Sequence, residues 1–405
     1  MKSFVDLYHL RRGRFWIDAK EDSSFYFGGT QMDKQLIDRL RMEFVQPPGV
    51  PKFMIHGRYG AGKTHTLGHI KHALTEDPRF IYQATRPLLF QLPPLKTRDK
   101  WVTLHRQFID AIGLELTRQA IAGVMTKATP GTDPIEVFRA PGMIRFGESA
   151  LQNSQAHIYR NLLFGGRQAT LSWEWLKGKP LNFDATSTLG VETQLEEPSQ
   201  LVDALLNVAN IVSRGLGSKI VLLVDEAESM RNITSPDSFD EFVHGFRRLE
   251  EDENDVLGLI IAFQLEGGME DAPRILVDDA VRRRVGYEMG YIDLHRLISE
   301  MEDARKFILE TLEYLVDQDA AKKTIKQESL NTEPEFFPFT VEAVDRIAVW
   351  VSEEPAVRMI PSQIIEKMSN AVSKARLLSE DEGLDKPKLV DDSIVDAVLY
   401  PGEAA

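Results

Sequence analysis

The chain contains no cysteine in its 405 residues. That excludes a disulfide framework, a cysteine-based zinc site and a thiol nucleophile. No run approaches the roughly 18 apolar residues that mark a membrane-spanning helix. The segment Met1 to Trp16 is charged early and lacks the apolar stretch of a secretory leader. There is no internal repeat, and no low-complexity tract beyond the acidic turn Glu250 to Asp255. Positive charge is also scarce: 48 Lys and Arg against 62 Asp and Glu leave a formal net charge of −14. This argues against a broadly basic nucleic-acid coat, although clustered Lys and Arg still act within a Debye length. The expectation is a soluble, cytoplasmic protein with no membrane partner. Its length allows two to three domains, or one domain with insertions.

Against these absences stands one full motif. Residues 57–64 read Gly57-Arg58-Tyr59-Gly60-Ala61-Gly62-Lys63-Thr64, a G-x-x-x-x-G-K-[ST] phosphate loop, directly after the apolar run Phe53-Met54-Ile55. A strand delivers such a loop and a helix leaves it, so that successive backbone N–H groups point at a phosphate from a helix N-terminus. The glycines let the backbone wrap closely where a Cβ would block it. Lys63 then bridges the β- and γ-phosphates of a nucleoside triphosphate, and the Thr64 hydroxyl holds Mg²⁺. The residues counted with the nucleotide are Gly57, Tyr59, Gly60, Ala61, Gly62, Lys63, Thr64 and the adjoining His65.

A second motif supports the first. Lys219-Ile220-Val221-Leu222-Leu223-Val224-Asp225-Glu226 is an aliphatic run ending in two carboxylates. The run predicts a strand buried on both faces of a parallel sheet. The carboxylates fall at its carboxyl end, where open α/β sheets bind ligands. Asp225 is the expected Mg²⁺ partner; Glu226 is the expected base that orients the attacking water. An Asp-Glu pair after a strand also serves simply as a helix N-terminal signal. The upstream loop favours the catalytic reading. Glu228 is expected to be solvated or paired.

Along the chain, residues 1–49 read as a strap. Arg11, Arg12 and Arg14 beside Phe15 and Trp16 are expected to form a solvated basic turn rather than a grip on phosphate or a neighbouring subunit. Gln31 to Phe44 is amphipathic at helical spacing. The helix after the loop carries His65, His69 and His72; the spacing resembles a metal face. No carboxylate or cysteine completes it, and surface or partner-facing histidines are the favoured reading. Arg79-Phe80-Ile81-Tyr82 reads as the next strand. The 162 positions from Lys63 to Asp225 exceed what one βαβ unit needs, so residues 97–197 are assigned to an insertion. It holds a helical stretch from Val102 to Met125 and a Trp173-Glu174-Trp175-Leu176-Lys177-Gly178 element, whose tryptophans are expected in a small core rather than at a partner contact. Ser199 to Arg214 reads as a helix stopped by Gly215, Phe239 to Leu249 as another, and Val256 to Phe263 as a buried strand ending in Gln264. From Met301 on the pattern is helical: Met301 to Leu315, Val341 to Val351, Pro361 to Leu378 and Asp391 to Leu399. The predicted fold is α/β: a doubly wound parallel-sheet core over residues 50–300, with an α-helical lid over 301–405.

A phosphate loop, a strand ending in Asp225-Glu226, a strand ending in the polar Gln264 and a helical lid together resemble the AAA+ ATPases. The strap and lid resemble their Orc/Cdc6-like branch. The succession of Trp175-Leu176-x-Gly178, Leu222-Leu223-Val224-Asp225-Glu226-Ala227-Glu228, Phe242 to Leu249 and Val281-Arg282-Arg283-Arg284 looks like the bacterial P-loop ATPases of BREX-type phage-defence islands. The resemblance implies further roles. Gln264 takes the sensor-1 place, where the wider family more often has Asn, Thr or Ser. One of Arg282, Arg283 and Arg284 is the expected arginine finger, stabilising charge on a neighbour's γ-phosphate, unless the triplet is a solvated basic helix end. Arg358 fits sensor 2.

Three functions follow from these readings. The first is an ATP-hydrolysing AAA+ protein, with ATP and Mg²⁺ as cofactors, that acts as a homo-oligomer or hetero-assembly, on DNA. The second is a nucleotide-dependent switch that gates a partner without touching nucleic acid. The third, a metabolic kinase, lacks any visible motif for a substrate phosphate.

Overall fold

In a computed structural model of the chain, the described residues are 3–26, 29–47, 49–249, 254–267, 269–282, 291–294, 298, 300–354, 358–382 and 386–401. The early elements are α1 (Phe4–Tyr8), α2 (Gly29–Val45), β1 (Lys52–Gly57), α3 (Lys63–Glu76) and β2 (Thr85–Gln91). Six helices follow without a strand: α4 (Trp101–Ile112), α5 (Leu114–Lys127), α6 (Pro134–Arg139), α7 (Ser149–Phe164), α8 (Gly166–Leu176) and α9 (Phe183–Leu189). Then come α10 (Pro198–Leu216), β3 (Lys219–Asp225), α11 (Pro236–Leu249), β4 (Leu257–Gln264), α12 (Arg274–Val277), α13 (Asp279–Arg282) and β5 (Ile292–Asp293). The last described helices are α14 (Met301–Leu315), α15 (Gln318–Glu328), α16 (Val341–Glu353), α17 (Pro361–Asp381) and α18 (Asp392–Leu399). The chain forms two compact units. One comprises Met1–Ile37, Gly57–His69 and Asp293–Ala405, the other Asp38–His56 and Ile70–Ile292. Residues 1–37 and the phosphate loop thus group with the C-terminal helices.

The larger unit is built on an all-parallel sheet of order β2-β3-β4-β1-β5. Parallel pairing runs in register from Thr85 opposite Lys219 to Gln91 opposite Asp225, and from Ile220 opposite Leu257 to Val224 opposite Ile261. Ile220 to Val224 are buried throughout, as an unbroken aliphatic run in a covered parallel sheet requires. The second strand lies later than expected. Arg79 to Tyr82 are not a strand; Ile81 and Tyr82 are exposed and sit in a short 3₁₀ turn. Local β-propensity there loses to the pairing that Thr85 to Gln91 make with β3, and Pro87 is tolerated because β2 is an edge strand.

The insertion is wholly helical among its described residues. The stretch read as one helix from Val102 to Met125 breaks at Gly113, whose φ of 84° ends α4 and opens α5. Buried α10 packs against α4, α5 and β3. Gly215 does not stop α10, which runs to Leu216 and ends at the left-handed Gly217. It is a packing residue: a Cβ there would lie 2.0 Å from the Ala120 carbonyl oxygen. Trp173 and Trp175 are buried in this unit's core, and the Trp175 indole N–H donates to the Thr193 carbonyl at 2.9 Å.

The smaller unit gathers Leu7, Tyr8, Leu10 and Phe15 with Phe307, Leu312, Phe337 and Trp350 in one core. A bridge joins Leu10 to Val316, and the Arg11 N–H donates to the Leu315 carbonyl. The early arginines are not a solvated turn. Arg12 and Arg14 pair with the fully buried Asp22 at 2.7 and 3.0 Å, and Tyr314 donates to the same carboxylate at 2.8 Å. Burial pushes the Asp22 carboxyl up, but the Asp18 N–H, Tyr314, Arg14 and Arg12 outweigh it and hold it below the usual range.

Candidate phosphate-binding site

The phosphate loop begins where β1 ends, at Gly57, and closes where α3 starts, at Lys63. Gly60 and Gly62 take φ values of 79° and 90°, in the left-handed region that L-residues rarely adopt. The first turn of α3 is set by the Thr66 N–H donating to Gly62 O at 2.8 Å. Lys63 Nζ donates to Gly57 O at 3.1 Å and Arg58 O at 2.9 Å, which folds its ammonium back over the loop. Strand, glycine loop, inward lysine and helix N-terminus together make an anion cradle. This is the fold of a P-loop nucleoside-triphosphatase.

Its three glycines do different jobs. A Cβ on Gly57 would press on Ala61 and Leu294 at 3.0 Å. One on Gly60 would fall 2.1 Å from the Ser362 hydroxyl and 3.0 Å from Ile360. The Ser362 N–H also donates to Gly60 O at 3.4 Å, so the start of α17 seats directly on the loop. A Cβ on Gly62 would meet nothing within 4 Å. Among the described residues, then, Gly62 itself is uncrowded. Ala61 is buried and Tyr59 is 79% exposed.

Of the three histidines after the loop, His65 is buried and His69 and His72 are half-buried. His65 is buried, with Nε2 against the Phe25 carbonyl oxygen, and burial pushes its pKa down. The Tyr26 ring stacks on His69 at 4.5 Å, and its hydroxyl hydrogen-bonds Thr66 Oγ1 at 3.2 Å. Phe25 stacks on Tyr314 at 4.1 Å. The N-terminal strap therefore lies along the first turns of α3. Nothing in the local sequence around Tyr26 signalled this contact. Arg358 hydrogen-bonds Glu353 and Glu354, both at 2.9 Å, and its guanidinium lies over the Trp350 ring at 4.7 Å. Service as a nucleotide sensor requires it to exchange those partners.

The carboxylate pair belongs to the larger unit. Asp225 ends β3 and is 1% exposed; its Oδ1 accepts from the Glu226 N–H at 3.0 Å. Glu226 is exposed and adopts φ 58°, ψ 35°. A non-glycine residue in that region costs on the order of 1 kcal/mol or more, and such residues cluster at functional sites. The bend turns the chain out of β3 so that one carboxylate stays inside while the next reaches solvent. Glu228 is paired: its Oε2 accepts from the Gln264 N–H at 2.9 Å. The Gln264 side-chain amide donates to Glu266, and Arg231 donates to the Gln264 carbonyl oxygen. These contacts tie the end of β4 to the turn after β3, and neither Glu228 nor Arg231 was identified for that role from the sequence. Arg282 ends α13. Arg283 and Arg284 lie outside the described residues.

No protein-family model and no curated protein sequence matches the chain. Solved structures similar to it include the ORC2 protein of Aeropyrum pernix in ADPNP–ADP complexes, at 12% identity over 95% of this chain and 72% of that one, with a TM-score of 0.41. The ADP form of that protein matches at 12% identity, 96% and 75% coverage and a TM-score of 0.42. A Walker-type ATPase of Pyrococcus abyssi matches at 12% identity, 94% and 79% coverage and a TM-score of 0.32. The chemistry of the present site rests on its own residues.

Proposed function

We propose that the chain binds ATP with Mg²⁺ and hydrolyses it as an AAA+ ATPase. It acts assembled with copies of itself or with a partner, on DNA or a DNA-associated complex, in phage defence. The observation that carries nucleotide binding is the glycine loop between β1 and α3, with left-handed Gly60 and Gly62 and Lys63 folded back over it at the helix N-terminus. The helix N-terminus and the Lys63 charge favour a polyphosphate over a single carboxylate. Thr64 and Asp225 offer the hard oxygen donors that suit Mg²⁺, an ion usually held by one or two side chains plus substrate phosphates. When bound, Mg²⁺ supplies charge neutralisation on the phosphate oxygens.

Glu226, exposed and held in its unusual backbone conformation, is the group that orients and deprotonates the attacking water. Gln264 holds that water. Arg282, Arg283 or Arg284 completes the site of a neighbouring subunit. DNA and phage defence are supported by the resemblance to the BREX-type ATPases. Replacing Lys63 by Ala tests the nucleotide assignment: binding of a fluorescent ATP analogue should fall at least about a hundredfold, the worth of roughly 3 kcal/mol of charge-assisted bonding. Retained tight binding would remove the assignment.

A second reading is a slow switch that gates a partner. It is favoured by the acidic partners already held by Gln264 (Glu266) and Arg358 (Glu353 and Glu354). Turnover separates the two readings. An assembled ATPase with fingers in trans gains specific activity with protein concentration, and loses it when Arg282, Arg283 and Arg284 are replaced together by Ala. A slow, concentration-independent rate fits the switch.

A further inference from the structure

Residues 97–197 carry eleven basic and eleven acidic side chains, so the insertion is neutral while the remainder of the chain bears the whole −14. Four of these cations are held in ion pairs: Lys100 to Glu241, Arg145 to Asp255, Lys177 to Asp110 and Lys179 to Glu174. Arg106 is likewise bound to the carbonyls of Lys177 and Gly178. Besides the exposed Arg98, four arginines differ. Arg118, Arg139, Arg160 and Arg167 join no ion pair among the described residues, and Arg118, Arg139 and Arg167 are exposed.

Arg118, Arg160 and Arg167 lie at the α7–α8 corner, and Arg139 lies near His157 earlier on α7. His157, Arg160 and Phe164 are spaced three and four apart and so share one face of α7. Arg160 lies 5.8 Å from the centre of the Phe164 ring, which is 67% exposed. The next residue, Gly165, would place a Cβ 3.6 Å from the Arg118 guanidinium. Arg167 follows in the first turn of α8. At the other end, His157 feels both Arg139 and Arg160: burial lowers its pKa first, and those two charges lower it further, against Glu192 and Asp133. The result is a strip of guanidinium groups outside any ion pair among the described residues, with Glu192 and Asp133 near its His157 end and the exposed Phe164 ring at the other.

We propose that this strip binds a single-stranded nucleic acid, with the arginines on the phosphate backbone and Phe164 stacked on a base. Phosphates supply the charge the arginines lack, and a flat exposed ring beside an arginine matches the stacking platforms such strands use. A duplex offers no free base face to Phe164. The strip shares no residue with the phosphate loop, and its variants keep Lys63 and Glu226, so ATP turnover monitors the nucleotide site independently.

The test is fluorescence anisotropy of the full chain with a labelled mixed-sequence DNA strand of about 20 nucleotides, titrated between about 50 and 200 mM salt. Wild type should bind, with affinity falling on salt by about 0.7 in log–log slope per phosphate contact. The combined Arg118→Ala, Arg139→Ala and Arg167→Ala variant should bind at least about tenfold more weakly, with a slope shallower by about 2. Phe164→Ala should lose about fivefold or more with its slope unchanged, since stacking is worth about 1–3 kcal/mol per base. A charge-matched control, Lys322→Ala, Lys323→Ala and Lys326→Ala on α15, should stay within about threefold of wild type. An RNA strand of the same sequence distinguishes which nucleic acid is preferred. The proposal fails if wild type does not bind at the lowest salt, or if a duplex binds as tightly as the strand. It also fails if the α15 control loses as much as the arginine variant, or if Phe164→Ala binds like wild type.

Discussion

Two glycine-bearing elements invite comparison: the loop from Gly57 to Thr64 and the Trp175-Leu176-x-Gly178 turn of the insertion. Both hold a glycine in the left-handed region, Gly62 at φ 90° and Gly178 at φ 68°. Their surroundings are opposite. A Cβ on Gly62 would meet nothing within 4 Å, whereas one on Gly178 would strike Leu201 at 2.7 Å and Val102 at 2.8 Å. Around Gly178 every feature points inward. His105 Nε2 donates to the Leu176 carbonyl at 2.7 Å, Arg106 covers the Lys177 and Gly178 carbonyls, and both tryptophans are buried. Around Gly62 the chain passes from the loop into α3, with the Lys63 ammonium folded back on the Gly57 and Arg58 carbonyls. Open space alone does not mark a ligand site, since a Cβ on Gly131, Gly166 or the helix-ending Gly217 would also meet nothing among the described residues; what sets Gly62 apart is its place between β1 and the N-terminus of α3, next to Lys63. The short Trp-Leu-x-Gly string is thus a structural corner, and its presence does not itself carry chemistry.

The largest effect expected from breaking this contrast comes from the catalytic side. Glu226→Gln should leave ATP binding intact and reduce hydrolysis about 10²–10⁴-fold, the usual contribution of a general base. A rate within about threefold of wild type, measured by phosphate release, would show that Glu226 is not the base.

Next comes a pH dependence confined to the packed corner. Burial pushes the His105 pKa down from 6.5 to about 4, with the Leu176 carbonyl opposing and Arg106 reinforcing that shift. The folded state therefore keeps His105 neutral, and its contribution to stability is complete above about pH 6.5. As pH falls from there towards 4, the unfolded chain takes up the proton first and that contribution, on the order of 3 kcal/mol, is lost. In thermal melts across this window, His105→Gln should show a flatter pH dependence than wild type. Parallel curves would remove His105 as the cause.

Two alanine substitutions then sharpen the comparison directly. Gly178→Ala should cost about 2 kcal/mol of stability through backbone strain plus overlap with Leu201 and Val102, seen as a lower denaturation midpoint with ATP affinity unchanged. Gly62→Ala should cost only about 1 kcal/mol, from strain alone, yet weaken ATP binding because its methyl enters the cradle. If Gly178→Ala impaired nucleotide binding while Gly62→Ala did not, the assignment of the two elements would have to be exchanged.

Much of this was legible in the residue order. The aliphatic run into Asp225 predicted β3 because a strand covered on both faces needs apolar side chains at every position. The helices at Met301 and Pro361 start where the sequence placed them, since a helical hydrophobic period and an N1 proline are local signals. The second strand misread because Phe80-Ile81-Tyr82 has local strand propensity, whereas the strand itself is chosen by pairing with β3. Gly215 misread as a stop because sequence cannot tell a glycine that ends a helix from one that lets a second helix approach. Arg12 and Arg14 read as solvated because their partner, Asp22, is brought to them only by the fold of the strap on Tyr314.

By itself, then, the sequence determined the chemistry available: a lysine and glycines spaced to cradle phosphates, two adjacent carboxylates after a buried strand, and no thiol. Those depend on covalent order and short-range backbone preference, which travel with the chain. Only the tertiary structure decided that Ser362 seats on Gly60, that Tyr26 covers His69, that Glu228 holds Gln264 and that Arg118 of α5 comes to the α7–α8 corner. Each of those joins residues distant in sequence, and the free energy that selects such partners comes from burying shared surface and satisfying polar groups at contacts that exist only once the chain has folded.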